Sequence, residues 1–70
     1  MSVQDFLHSV KPNQTIYLVI PGALIRGAFV RVDASDELVT LNQTALFQNS
    51  QATASIPTLT VLVTSIIAWG

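Results

Sequence analysis

The spacing of apolar positions changes period once along this chain. Val3, Phe6, Leu7 and Val10 recur at helical spacing and make one apolar stripe. Ser2 stands just before them and Asp5 three positions later, the pattern of a capping box. Lys11-Pro12 ends the segment, because the residue before a proline avoids helical backbone. The pattern predicts a helix over about 2–10. So short a helix is unstable alone, so its stripe must dock on something.

From Thr15 onward the period is that of strands. Thr15-Ile16-Tyr17-Leu18-Val19-Ile20 is rich in β-branched and aromatic residues and predicts a strand over about 15–20. Pro21-Gly22 supplies a turn, with proline presetting the first central residue and glycine taking positive φ at the second. A long strand follows over about 23–33. Ile25, Gly27 and Phe29 share one face by alternation, and Arg26 and Ala28 share the other. Val32, the next inward candidate, is out of phase by one, which predicts a β-bulge near Val30-Arg31. Gly27 in mid-strand marks a sharp bend or a close backbone approach.

After the polar turn Ala34-Ser35-Asp36, a third strand is expected over about 37–47. Gln48 to Ser55 is small and polar and predicts a loop or hairpin tip. Two further strands are expected over about 56–63 and 65–69, with Pro57 at a strand start or on an edge. The elements add up to one domain over 1–70. Its class is all-β, a small five-stranded and strongly bent barrel with a short N-terminal α-helix.

Composition sharpens this picture. Half of the 70 residues are hydrophobic and 10% are charged. A chain this short buries little core for its surface. It has no cysteine for disulfides, and His8 is its sole histidine, so neither a metal site nor a cofactor is expected. Oligomerisation is the remaining common route to stability. Three basic residues, Lys11, Arg26 and Arg31, face four acidic ones, for a net charge of −1. No basic stripe of the usual nucleic-acid-binding kind is present. MSVQDFLHSV lacks the basic and apolar regions of a signal peptide. Ile56 to Gly70 is too short and too broken by threonine and proline to span a membrane. These features predict a cytoplasmic location.

The order of a helix and five strands, with a hard bend in the second strand, resembles the Sm-like arrangement. Gly22, Gly27, Phe29 and the Val32-Asp33 pair are similar in type and spacing to the first Sm motif. Gln4-Asp5-Phe6-Leu7, Thr15-Ile16-Tyr17-Leu18-Val19 and Val63-Thr64-Ser65-Ile66-Ile67 look closest to the bacterial Hfq branch. The resemblance implies a homo-oligomeric ring of about five to seven subunits, closed by pairing the fourth strand of one copy with the fifth of the next. Leu59, Val61, Val63, Ile66, Ile67 and Trp69 would then line the subunit interface.

The resemblance also implies single-stranded RNA as a partner, bound by stacking and hydrogen bonds to bases. Asp33, Ser35 and Glu37 stand where the family's loop carries an Asp, a stacking residue and an Asn. Ser35 has no aromatic face, and Glu37 would repel phosphates. The fourth-strand Lys-His pair of Hfq-type rings has no counterpart in Leu59-Thr60-Val61-Leu62. Gln4 would be the glutamine of the helix-face site. Arg26 and Arg31 could form a small positive patch repeated around a ring. The plainer reading pairs them with Asp33, Asp36 or Glu37, and it is favoured for Arg31. Tyr17, Phe29, Phe47 and Trp69 are stacking candidates, although aromatics on apolar faces more often fill cores. No catalytic constellation is visible, so no enzyme is expected. Two roles remain: an RNA-binding ring, or a ring-shaped structural or protein-interaction module that does not bind RNA.

Overall fold

A computed structural model of the chain describes residues 2–70. It contains a helix α1 (Val3–Ser9), strands β1 (Thr15–Ile20), β2 (Ala23–Val32), β3 (Leu38–Gln48) and β4 (Gln51–Leu62), a 3-10 turn (Val63–Ser65) and a short strand β5 (Ala68–Trp69). The strands form one antiparallel sheet in the order β4-β3-β2-β1-β5. Val61 of β4 and Ile66 just before β5 share one core with Ile16, Leu18, Ile25, Phe29, Val39 and Leu41. Residues near both edges meet there, so the sheet is rolled into the expected barrel.

The capping box forms as predicted. Asp5 N–H donates to Ser2 Oγ at 3.1 Å, and Ser2 N–H donates to the Asp5 carboxylate at 3.4 Å. These bonds serve backbone donors that have no partner inside the helix. Leu7 and Val10 then bury the stripe in the core, while Phe6 packs on Trp69 with ring centroids 6.3 Å apart.

Both strand irregularities of β2 have local causes. Phe29 pairs with Leu41 and Arg31 with Thr40, so Val30 is the extra residue of a bulge at the expected place. A second shift lies between Arg26 and Ala28, where β3 carries the extra residue and Gln43 has a φ of 52°. Gly27 is the close approach. A Cβ there would lie 3.1 Å from both the Asn42 carbonyl oxygen and the Leu41 Cβ.

The segment Gln48 to Ser55 departs from the expected loop. Only Asn49 and Ser50 form the turn, and β4 already begins at Gln51. Ala54 pairs with Leu46, Ala52 with Phe47, and Gln51 with Gln48. Residues 51–55 are all exposed, so no apolar alternation marks this stretch as a strand. The last strand is also shorter than expected. Residues 63–65 coil into the 3-10 turn, where Ser65 Oγ donates to the Leu62 carbonyl at 2.7 Å, and only Ala68 and Trp69 pair with β1.

Candidate nucleic-acid interface and subunit edges

The turn before β3 is built around one carboxylate. Asp33 Oδ1 accepts from Glu37 N–H at 2.8 Å and Leu38 N–H at 3.2 Å, and Ser35 Oγ donates to Oδ2 at 3.1 Å. The two backbone donors, Glu37 first and Leu38 second, favour the charged form and hold the Asp33 carboxyl below its ordinary value. Asp33 and Ser35 are thus spent on shaping the turn. Glu37 is exposed and offers only negative charge. Asp36 takes a left-handed φ of 59°, and its Oδ1 lies 2.9 Å from His8 Nε2. Through that contact the turn is tied to α1. Gln4 is exposed on the same helix.

The arginines are not paired with acids. Among the described residues the one ion pair is His8–Asp36, which corrects the expected pairing of Arg31 with Asp33. Arg31 is exposed near the far end of β2. Arg26 instead lies across the outer face of the sheet. Its guanidinium carbon sits 5.2 Å from the centre of the Phe47 ring, a cation–π arrangement. Its neighbour across the β1–β2 ladder is Tyr17, which is 44% exposed. Tyr17, Arg26 and Phe47 therefore form one outward row of two aromatics and a cation. Alternation in β1 and β2 assigns Tyr17 and Arg26 to this face from sequence. Phe47 joins it only through the register of β3, which the sequence did not reveal.

The proposed interface residues divide in two. Val61, Val63 and Ile66 are buried in this chain's own core. Leu59 and Trp69 are partly buried against the core. Ile67 is 64% exposed and Leu62 is 57% exposed. Leu62 is an exposed edge residue that the sequence reading did not name.

Both edge strands leave backbone groups unpaired. Tyr17 and Gly70 exchange two backbone bonds, at 2.8 and 3.0 Å. By antiparallel alternation Trp69 turns its N–H and C=O away from β1. On the other edge, the Leu38 carbonyl accepts from Asp33 on the β2 side, while the Glu37 carbonyl accepts from Val63. Alternation then points the N–H groups of Ile56, Thr58, Thr60 and Leu62 outward. Pro57, which has no N–H, faces inward opposite the kinked Gln43. From Ile56 to Leu62 the outer edge of β4 is therefore uninterrupted, and it carries no charge. Edge strands that stand alone are normally blunted by charge or by an outward proline. An opening of about 300 Å³, lined by Ile20, Ile25, Leu46, Leu59, Val61 and Leu62 among others, lies beside it.

Over 99% of its length the chain superposes on the Sm protein of Pyrococcus abyssii, solved in complex with a uridine heptamer, at a TM-score of 0.80. The chain has the Sm fold. The match covers 96% of the archaeal chain, at 14% sequence identity. No protein-family model matches the chain, and no curated protein does. Among the described residues, no group of three or more His, Cys, Asp or Glu is placed to hold a metal ion on this Sm fold.

Proposed function

We propose that this chain is an Sm-like protein that closes into a homo-oligomeric ring through β4 and β5 and binds single-stranded RNA. The observation that carries the reading is the full-length likeness to an Sm protein solved with a uridine heptamer. The uncharged, regular edge of β4 over Ile56 to Leu62 and the free backbone of Trp69 support ring closure, since a neighbouring strand would satisfy both. The capped helix and the Tyr17 strand support a place in the Hfq branch. The absence of cysteine from the sequence supports a cytoplasmic location.

On this reading the RNA contact is the row Tyr17, Arg26 and Phe47. Aromatic rings stack bases irrespective of sequence, and an arginine adds a phosphate contact. The Asp33 turn is acidic and internally bonded, so it is a poor phosphate site. The chain is a binding module and not an enzyme.

Native mass spectrometry tests the ring, and a mass of several chains is expected. Fluorescence anisotropy with oligo(U) and oligo(A) tests the RNA contact. Stacking on one aromatic is worth about 1–3 kcal/mol per base, so Tyr17→Ala should weaken binding about tenfold or more. Arg26→Ala should also flatten the salt dependence. Binding no stronger than ordinary non-specific levels for both oligonucleotides would favour the second role, a ring that engages proteins. The net charge of −1 and the acidic turn favour that alternative.

A further inference from the structure

Apolar surface stays uncovered at two places in the single chain. The first is the end of the sheet where the β1–β2 turn at Pro21-Gly22 and the β3–β4 turn at Asn49-Ser50 come together, since Leu24 pairs with Phe47. Helix α1 and the Asp33–Leu38 turn, with all four acids, lie at the opposite end, joined by the His8–Asp36 contact. The hairpin-tip end opens into a cleft of about 730 Å³, walled by Val19, Ile20, Leu24, Phe47 and Ile67. Ile67 stands on its β5 side, 64% exposed, and its N–H donates to the Val19 carbonyl at 2.8 Å. The second place is the opening of about 300 Å³ beside β4. It reaches down to Ile25 and Val61 of the core, and the exposed Leu62 stands at its rim. None of its lining residues is charged. The Ser65 hydroxyl in its wall already donates to the Leu62 carbonyl, and Thr60 is exposed at its edge. The opening therefore asks its occupant for apolar contact and for no buried hydrogen bond.

We propose that Ile67 of one copy of this chain fills the opening beside β4 of the next copy. This contact deepens the ring reading and rests on it: it names the side chain that each copy lends and the place that receives it. A neighbour whose Trp69 takes up the free backbone groups of Thr58, Thr60 or Leu62 holds its Ile67 only two residues away. Pairing of that edge thus carries Ile67 to the residues that line the opening. The Trp69 ring cannot serve instead, because it packs on Phe6 of its own chain. Ile67 belongs to the β5 side and the opening to the β4 side, so each copy gives one side chain and receives one. A head-to-tail contact of this kind generates a ring when its rotation closes. An exposed isoleucine and an apolar opening leave water together, which favours the contact.

The chain has no cysteine, so an introduced disulfide can report the contact. Such a bond forms only where two Cα atoms come within about 7 Å. Ile67→Cys and Leu62→Cys are made as separate single variants, so that neither chain can bridge within itself. Co-expressed and oxidised, the two should give a covalent two-chain band on a non-reducing denaturing gel, and that band should be absent from either variant alone. Circular dichroism checks that each variant folds, and Thr60→Cys, at the same opening, replaces a Leu62 variant that does not. Native mass spectrometry of the wild type separates the contact from the ring. A mass of several chains without the covalent band would overturn the contact and leave the ring standing, and so would an equal band from either variant alone. A wild-type mass of one chain would remove the ring and the contact with it.

Discussion

The helix end and the hairpin-tip end of this molecule are held by different kinds of force. At the helix end, specific polar contacts fix the chain: the Ser2–Asp5 box, the Asp33 clamp and the His8–Asp36 contact. Beneath them Leu7 and Val10 reach the core. At the tip end backbone geometry sets the turns. Gly22 has a φ of 86°, and Asn49 and Ser50 have φ of 52° and 65°. The apolar side chains there stay half open to solvent. One end is finished within a single chain, and the other has surface left over. Where a fold leaves apolar surface uncovered, its partner is best sought there.

The largest expected effect tests that contrast directly. Leu7 is almost fully buried, so Leu7→Ala should cost about 2–5 kcal/mol, as core leucine truncations do. Leu24 faces the cleft and is only half-buried, so Leu24→Ala should cost no more than about half as much in area terms. Urea midpoints for the two variants, taken below the concentration at which copies associate, make the comparison. Equal losses would mean that the tip end is as closed as the helix end.

The same contrast governs what could be read from the sequence. The helix end was legible because its devices are local: a cap, an acid three residues on, a stripe at helical spacing and a proline stop. The first two strands were legible because one face of each is buried, so alternation appears in the residues. Gln51 to Ser55 was not legible, because both faces of that arm are exposed and its small polar residues look like a loop. The buried positions of Val61, Val63 and Ile66 were hidden for the opposite reason. An apolar edge strand reads alike whether it covers its own core or a neighbour's. The Arg26–Phe47 contact depends on the register of β3, which two unforeseen shifts control. No spacing within one strand encodes such a pair.

A smaller effect is expected at the tip. Asn49 and Ser50 are both left-handed, which is the demand of a tight two-residue hairpin turn. Asparagine accepts this backbone at little cost, whereas serine is strained and glycine is free of the penalty. Ser50→Gly should therefore stabilise the hairpin by about 0.5–1 kcal/mol, after glycine's greater freedom in the unfolded chain is counted. A rise in thermal midpoint with unchanged oligomer mass is the expected result. A fall would show that the serine side chain contributes something that its geometry does not reveal.

The smallest effect concerns acid, and it separates the two ends most cleanly. Asp33 titrates lower in the folded chain than in the unfolded chain, because Glu37 and Leu38 N–H groups donate to its charged form. Above the unfolded value neither state holds the proton, and the clamp stabilises the fold in full. As pH falls between the two values, only the unfolded state takes up the proton, so stability declines. Below the folded value both states are protonated and the contribution is gone. The carboxyl is open to solvent, so the loss is modest. Asp33→Asn should flatten this part of the acid profile of the urea midpoint. In NMR spectra of the wild type, the Glu37 and Leu38 amide signals should move through the same range, while those of Gln48 to Gln51 stay still, since no Asp or Glu lies at that end. Tip signals that moved in step with the turn would mean that the two ends are coupled through the sheet, and the division between a finished end and an open one would fail.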